Sequence, residues 1–196
     1  MAGANSDLLA MRPHPNALPA KIAALERGTP QYYALREAIF QTGQGCLLPQ
    51  SRVLDLSCGQ GDFVEMFIER NEDLCRFVLL DRSPDNVRAC AQRFHFRAHL
   101  GFVTPGGLDL AHGFPALSSR LMLCVMGLGP LDEARREEVL RMARKHLEKG
   151  GSFILVEELK DEGSCASWLT SLTDAGFKDV ERIWYSGRMC AWVARK

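Results

Sequence analysis

The chain has 196 residues, of which 46% are hydrophobic and 24% are charged. This length is sufficient for one domain with a buried core and short for two. The 24 basic residues balance the 24 acidic residues, so the formal net charge is zero. A neutral chain has no overall field that would draw it onto nucleic acid or an anionic membrane.

The cysteines indicate a reducing environment. Seven of them are scattered along the chain, and no Cys-x-x-Cys pair occurs. This pattern argues against a disulfide framework and against a zinc site. The N-terminus lacks a signal-peptide pattern, and no apolar run approaches the length of about 18 residues that a membrane span needs. We therefore predict a cytoplasmic protein with no metal and no membrane partner.

The N-terminal part of the chain differs from the rest. Residues 1–20 contain three prolines and little periodic apolar pattern, which predicts an extended arm. Apolar residues at helical spacing over 21–42 predict two short helices. We divide the chain into an N-terminal arm with helices at 1–45, which could form a lid, and a main domain at 46–196.

The main domain alternates between apolar runs and helical segments. Strands are predicted at 52–56, 76–81, 120–126 and 152–159, with a weaker strand at 100–104. Helices are predicted at 61–71, at 83–94 with Ser83 as N-cap, at 131–151 and at 165–176. Near-continuous hydrophobicity is typical of parallel strands that are covered on both faces. The pattern predicts a doubly wound α/β fold, closed by a C-terminal hairpin whose last strand is antiparallel.

A glycine turn follows the first strand, in the stretch RVLDLSCGQGDF. Val64 stands where a dinucleotide fingerprint needs a small residue, and no Lys-Ser or Lys-Thr pair follows the turn. Asp55 ends the strand, and a carboxylate there would repel a pyrophosphate but attract an ammonium or sulfonium group. Asp81, at the end of the next strand, is suited to hydrogen bonds with ribose hydroxyls. The turn therefore indicates a cationic nucleoside ligand.

These residues carry a family resemblance. The segments VLDLSCGQGDF and FVLLDRSPDNVRACAQRF resemble motifs of the class I (Rossmann-like) S-adenosylmethionine-dependent methyltransferases. HLEKGGSFILVEE and the C-terminal segment are similar to the fifth strand and the terminal hairpin of that family. The resemblance implies a seven-stranded, mostly parallel sheet of order 3-2-1-4-5-7-6, with strand 7 antiparallel and helices on both faces. It also implies S-adenosyl-L-methionine as cofactor and S-adenosyl-L-homocysteine as product.

The resemblance implies a set of cofactor-binding residues: Asp55, Ser57, Cys58, Gly59, Gly61, Asp81, Arg82, Cys124, Tyr33 and Asp109. In this scheme Asp55 and the backbone of the glycine turn hold the methionine part of the cofactor. Asp81 binds the ribose and Arg82 flanks the adenine. Cys124 begins the wall of the methyl-transfer site, while Tyr33 is a candidate lid residue. Asp109 is a displaced substitute for the acid that many relatives place after the third strand.

Two positions depart from the family pattern. Ser57 stands where the family has its first motif glycine, and a positive φ at a serine would be strained. Gly106 and Gly107 occupy the place of the adenine-binding acid. Both departures predict weaker cofactor binding. They keep open a second hypothesis, in which the chain is a methyltransferase-fold interaction module with little or no activity.

The acceptor is less defined than the cofactor. Methyl transfer needs alignment of two bound molecules rather than an obligatory catalytic residue, so we leave the catalytic residues unassigned. We expect a small-molecule acceptor, with RNA as the alternative, because TPQYYALREAI is weakly similar to a helix of tRNA wobble-uridine carboxymethyl-transfer enzymes. The sequence lacks the Asn/Asp-Pro-Pro-aromatic motif of amino-directed DNA enzymes, which argues against DNA. A partner subunit, as in a homodimer, could complete the acceptor lid.

Overall fold

The computed structural model describes residues 27–71, 74–95, 100–103, 118–161 and 163–196. Its helices are α1 (Pro30–Gln44), α2 (Glu65–Asn71), α3 (Pro84–Arg93), α4 (Glu133–His146) and α5 (Gly163–Asp174). Its strands are β1 (Arg52–Asp55), β2 (Arg76–Leu80), β3 (Leu100–Val103), β4 (Ser119–Val125), β5 (Leu147–Glu158), β6 (Lys178–Ser186) and β7 (Met189–Arg195). Within these ranges, none of the helices is long and apolar enough to cross a membrane.

The strands form one mixed sheet in the order β3-β2-β1-β4-β5-β7-β6. The first five strands in this order run parallel, and β7 is antiparallel to both β5 and β6. Val53 pairs with Phe77 of β2 and with Leu121 of β4, which places β1 at the centre of the parallel part. The predicted α/β class is confirmed. Strand order reverses between β1 and β4, and ligands bind open α/β sheets at such a switch point.

Both faces of the sheet are buried. Neighbouring residues of β1 point to opposite faces, so Val53 packs with residues of α1, α2 and α3, while Leu54 packs with residues of α4 and α5. Ile39, Phe67 and Cys90 lie in the first of these two clusters; Leu140 and Trp168 lie in the second. Burial on both faces explains why the strands are apolar at nearly every position.

The helix starts follow the local sequence. Ser83 caps α3, as predicted: its side chain accepts a hydrogen bond from the backbone N–H of Asn86 at 3.4 Å, and Pro84 takes the first helical position. Asp132 caps α4 in the same way, through the backbone N–H of Arg135 at 2.9 Å. These caps set where each helix leaves the sheet edge.

The largest errors in the predicted boundaries lie at glycines. We expected a helix from residue 61, but α2 begins at Glu65, since Gly61 has a φ of 87° and cannot lie in a helix. We also expected the Gly150-Gly151 pair to end α4. Instead α4 ends at His146 and both glycines lie inside β5, near a register shift between β4 and β5.

The C-terminal hairpin agrees with the sequence pattern. β6 and β7 pair antiparallel, and Gly187 in the connecting turn has a φ of 51°. At the other end of the chain, α1 is described, but the predicted arm and the first predicted helix lie outside the described residues. The division into 1–45 and 46–196 therefore stays a prediction.

Candidate functional site

Acidic side chains lie at the carboxyl ends of three strands in the parallel part of the sheet. Asp55 ends β1, Asp81 directly follows β2, and Glu157 is the penultimate residue of β5. Because parallel strands end at the same edge of a sheet, these carboxylates share the edge where the switch point lies. In the part of the chain that the structure describes, no group of three potential ligand side chains could hold a metal ion.

The glycine turn connects β1 to α2. Gly59 has a φ of 53° and Gly61 a φ of 87°, a region that side chains with a Cβ rarely adopt. A Cβ on Gly61 would collide with the Phe94 ring, so Gly61 is required by packing. A Cβ on Gly59 would have no neighbour within 4 Å. The backbone at Gly59 therefore borders open space at the sheet edge and could be approached closely by a ligand.

Asp55 lies beneath this turn and is almost fully buried. Its Oδ1 accepts a hydrogen bond from the backbone N–H of Ser57 at 3.1 Å. Burial raises the pKa of Asp55 to about 7; the Ser57 N–H opposes this rise and nearby Asp81 adds to it. A cation bound above the turn would favour the ionised carboxylate.

Asp81 is half-buried and held by three hydrogen bonds. Its Oδ2 accepts from the backbone N–H of Gly59 at 2.9 Å. Its Oδ1 accepts from the backbone N–H of Ser83 at 2.8 Å and from Nδ2 of Asn86 at 3.1 Å. These bonds fix the carboxylate beside the glycine turn and the start of α3.

Ser57 is not strained. Its φ is not positive, so the strain expected at this position is wrong. Its hydroxyl donates to the carbonyl oxygen of Val125 at 3.0 Å and accepts from the backbone N–H of the same residue at 2.8 Å. Ser57 thereby joins the glycine turn to the end of β4, a contact that a glycine could not make.

The two cysteines assigned to the site are buried. Cys58 donates its backbone N–H to the carbonyl oxygen of Leu80 at 2.8 Å, and its Sγ lies 3.6 Å from that of Cys90. The contact with Cys90 and burial raise the pKa of the Cys58 thiol, so it stays protonated. Cys124 is fully buried, and burial raises its pKa as well. We expected the Cys124 side chain to line the site surface. It lies in the core instead, because β4 is covered on both faces.

The remaining predicted residues are distributed around this edge. Tyr33 is 56% exposed and meets Tyr32 edge to face, with ring centroids 5.6 Å apart. Tyr32 is buried against Phe63, next to the glycine turn. Arg82 is half-buried, and its positive charge opposes part of the rise that burial causes in the pKa of Glu157. Asp109 lies outside the described residues, as do Gly106 and Gly107.

Arginines from three segments bind the glycine turn and the start of α2, contacts that the sequence did not reveal. Arg93 of α3 donates to the carbonyl oxygen of Gln60 at 2.8 Å and to Oδ1 of Asp62 at 2.7 Å. Arg27 pairs with the same Asp62 carboxylate. Arg36 of α1 pairs with Glu65 at 3.1 Å. These ion pairs tie α3 to the turn and α1 to the start of α2.

Glu157 is the second site residue that sequence reasoning missed. It is 1% exposed, and burial raises its pKa to about 7. Its carboxylate accepts the backbone N–H groups of Leu128 at 2.7 Å and Gly129 at 3.1 Å. The signal was in the sequence, since Glu157 follows a buried apolar run in the same way as Asp55 and Asp81.

The comparison with protein families assigns the chain. Residues 53–151, about half of the chain, match the family described as "Methyltransferase domain". The chain therefore belongs to this family, which has the class I Rossmann-like fold described above. No curated protein matches the chain significantly.

Solved structures agree on the fold. Human N-acetylserotonin methyltransferase in complex with SAM matches with a TM-score of 0.64 and 18% identity over 82% of this chain and 51% of that chain. The glycopeptide N-methyltransferase MtfA with S-adenosyl-L-homocysteine matches with a TM-score of 0.64 and 16% identity, over 82% of this chain and 88% of that chain. A TehB-like SAM-dependent methyltransferase from Corynebacterium glutamicum matches with a TM-score of 0.65 and 16% identity, over 90% of this chain and 93% of that chain. The chain spans about half the length of the human enzyme and 53% of the CurJ carbon methyltransferase.

Proposed function

We propose that this chain binds S-adenosyl-L-methionine (SAM) at the carboxyl edge of the sheet and transfers its methyl group to a small molecule. The observation that carries the proposal is the pair of carboxylates around the glycine turn. Asp55 lies buried beneath the turn, and Asp81 is held beside it by the N–H of Gly59 at 2.9 Å. An acid under the turn suits a cation, and an acid beside it suits ribose hydroxyls.

The residues present fit this cofactor. Open space above Gly59 admits a ligand against the backbone of the turn, from Ser57 to Gly61. Asp55 would face the positive charge of the methionine part, and Asp81 would accept a ribose hydroxyl through the one acceptor site on Oδ2 that its three present donors leave free. Arg82 would flank the adenine.

The chemistry asks little of the side chains. When bound, SAM supplies an electrophilic methyl group on a sulfonium. The residues of the glycine turn would hold this group so that its methyl could pass to the acceptor atom, with the electron pair of the broken carbon–sulfur bond left on the sulfur of S-adenosyl-L-homocysteine (SAH). The protein aligns the two molecules and excludes water from them. A general base is needed only for acceptors that lose a proton early, and we assign none. Neither buried thiol is available as a thiolate for this role.

A small acceptor is supported by the sheet edge itself. The connection between β5 and α5 is short, from residue 159 to residue 162, so it supplies no large platform for a macromolecule. The acceptor would then be covered by residues 1–45, where Tyr33 is exposed, or by a second copy of the chain in a homodimer. A cytoplasmic location stays a prediction from the cysteine pattern.

Calorimetric titration with SAH tests cofactor binding. We expect micromolar affinity for the wild-type protein and a loss of at least about 30-fold in Asp55→Ala and in Asp81→Ala, because each removes a charged partner of the ligand. Asp85→Ala is the matched control, since Asp85 lies on the first turn of α3 and is exposed. The absence of both heat and a thermal shift in the wild-type protein would overturn the proposal.

The acceptor class needs a second experiment. Purified protein is incubated with methyl-labelled SAM and a cell extract, which is then separated into small-molecule, RNA and protein fractions. The proposal predicts label in the small-molecule fraction. Label confined to RNA would replace the acceptor class and leave the cofactor assignment in place.

A further inference from the structure

The loop after β4, residues 126–131, is held from both sides by charged side chains; we call it the post-β4 loop. Glu157 binds the backbone N–H groups of Leu128 and Gly129, at 2.7 and 3.1 Å. Arg136 of α4 donates to the carbonyl oxygens of the same two residues, at 3.1 and 2.9 Å. The backbone N–H and C=O groups of two consecutive residues are thus fixed by one buried carboxylate and one guanidinium.

This loop touches the glycine turn. A Cβ on Gly127 would lie 2.8 Å from Cβ of Ser57, so the two backbones pack closely. Met126, just before Gly127, has a φ of 59°, an uncommon conformation for a residue with a side chain. The carbonyl oxygen of Val156 holds it by accepting its N–H at 2.8 Å. The end of β5 therefore maintains a strained loop against the turn that we propose binds the cofactor.

Burying the Glu157 carboxylate to fix this loop destabilises the folded protein, because a buried charge loses its hydration. Glu157 is nearly inaccessible, and the cations that act on its carboxylate are Arg136 and, more weakly, Arg82. An apolar side chain would stabilise the core more cheaply, so the carboxylate indicates a need for a fixed loop rather than for stability. The positive φ of Met126, next to the candidate site, also indicates that the loop is fixed for function.

We propose that Glu157 is a positioning residue for methyl transfer, which fixes the post-β4 loop as the wall of the acceptor side of the site. It acts through the amides of Leu128 and Gly129 and does not itself contact the cofactor. The inference rests on the proposed function. It assigns a role to a residue beyond those of the glycine turn and the ribose-binding acid.

Glu157→Gln tests the role, because the amide keeps the size of the side chain but offers one acceptor where the carboxylate offers two. Hydrogen exchange measured by NMR should show the amides of Leu128 and Gly129 exchanging at least about tenfold faster. Transfer of labelled methyl from SAM into the fraction that the wild-type protein labels should fall at least about tenfold, while SAH affinity changes by less than about threefold. A purely structural role would lower stability without this split.

Glu158→Gln is the matched control. Glu158 is the next residue of β5, is half-buried and pairs with Arg188 at 3.1 Å, so its loss should leave exchange in the loop and transfer unchanged. Gly129→Ala is the second variant, in case Glu157→Gln does not fold. Its Cβ would lie 2.9 Å from Oε2 of Glu157 and would displace the carboxylate without removing it, so we expect the same changes in the same direction.

The outcomes separate the two proposals. Wild-type exchange rates at Leu128 and Gly129 in a folded variant would overturn the positioning role, as would a loss of transfer that only follows a loss of SAH affinity. If the wild-type protein binds no SAH, the proposed function fails at that step. The exchange rates of the two amides would still decide whether Glu157 fixes the loop.

Discussion

At the residue scale, Asp55 is the clearest sign that the sheet edge is built for a ligand. Its folded-state pKa of about 7 lies above the usual 3.8. The folded protein then binds the proton more tightly than the unfolded chain, so ligand-free stability declines as pH rises from about 4 to about 7. The full shift corresponds to at most about 4 kcal/mol. A side chain that destabilises the free protein at neutral pH is expected where a bound cation compensates.

The raised pKa of Asp55 predicts that SAH binding depends on pH. The SAH ammonium favours the ionised form of Asp55, so binding must release the proton that the free protein carries below pH 7. We expect SAH affinity to fall as pH is lowered from 7 to 5.5, approaching about tenfold per pH unit. Calorimetric titration over this range measures it.

Asp55→Asn is the control for this dependence. The variant should bind SAH more weakly, with an affinity that is nearly constant between pH 5.5 and 7. A slope that persists in Asp55→Asn would assign the proton to another group, of which Glu157 is the first candidate because its pKa is also about 7. That result would contradict the role given to Asp55.

At the element scale, the glycine turn uses its two positive-φ glycines for different purposes. Gly61 turns the chain into α2 and lies against Phe94, so a side chain there has no room. Gly59 lies beside open space and needs its flexibility only for its backbone conformation and for the approach of a ligand. The arginines that bind Gln60 and Asp62 hold the turn in this shape.

Alanine at the two glycines should separate stability from binding. Gly61→Ala adds strain and a collision with Phe94, so we expect a loss of about 2 to 4 kcal/mol in unfolding free energy. Gly59→Ala should cost about 1 kcal/mol but lower SAH affinity at least about tenfold, because its Cβ enters the proposed ligand space. Urea unfolding and SAH titration measure the two effects. Equal SAH affinity in Gly59→Ala and wild-type protein would contradict the proposed ligand position.

At the scale of the whole molecule, the sequence predicted what local pattern and burial determine. Strands buried on both faces, the Ser83 cap and the terminal hairpin follow from hydrophobic runs and turn chemistry. The start of α2 was missed because the sequence does not reveal the positive φ of Gly61, and the end of α4 because it does not reveal that Gly150 and Gly151 lie within β5, which pairs with β4. The local sequence around a glycine is the same whether that glycine turns the chain, ends a helix or lies within a strand.

Part of the site was predictable because it depends on where the strands end. Asp55 and Asp81 could be placed because each ends a strand, and Glu157 could have been found by the same rule. Contacts between distant segments could not be predicted, since they arise only from packing. The bridge from Ser57 to Val125 is such a contact.

The central claim is that the glycine turn and its two carboxylates form a SAM site, and a crystal structure of the protein grown with saturating SAH tests it most directly. The account predicts SAH over Gly59, with a ribose hydroxyl within hydrogen-bond distance of Oδ2 of Asp81 and the ammonium toward Asp55. SAH bound elsewhere, or a turn that remains empty at saturating SAH, would contradict it.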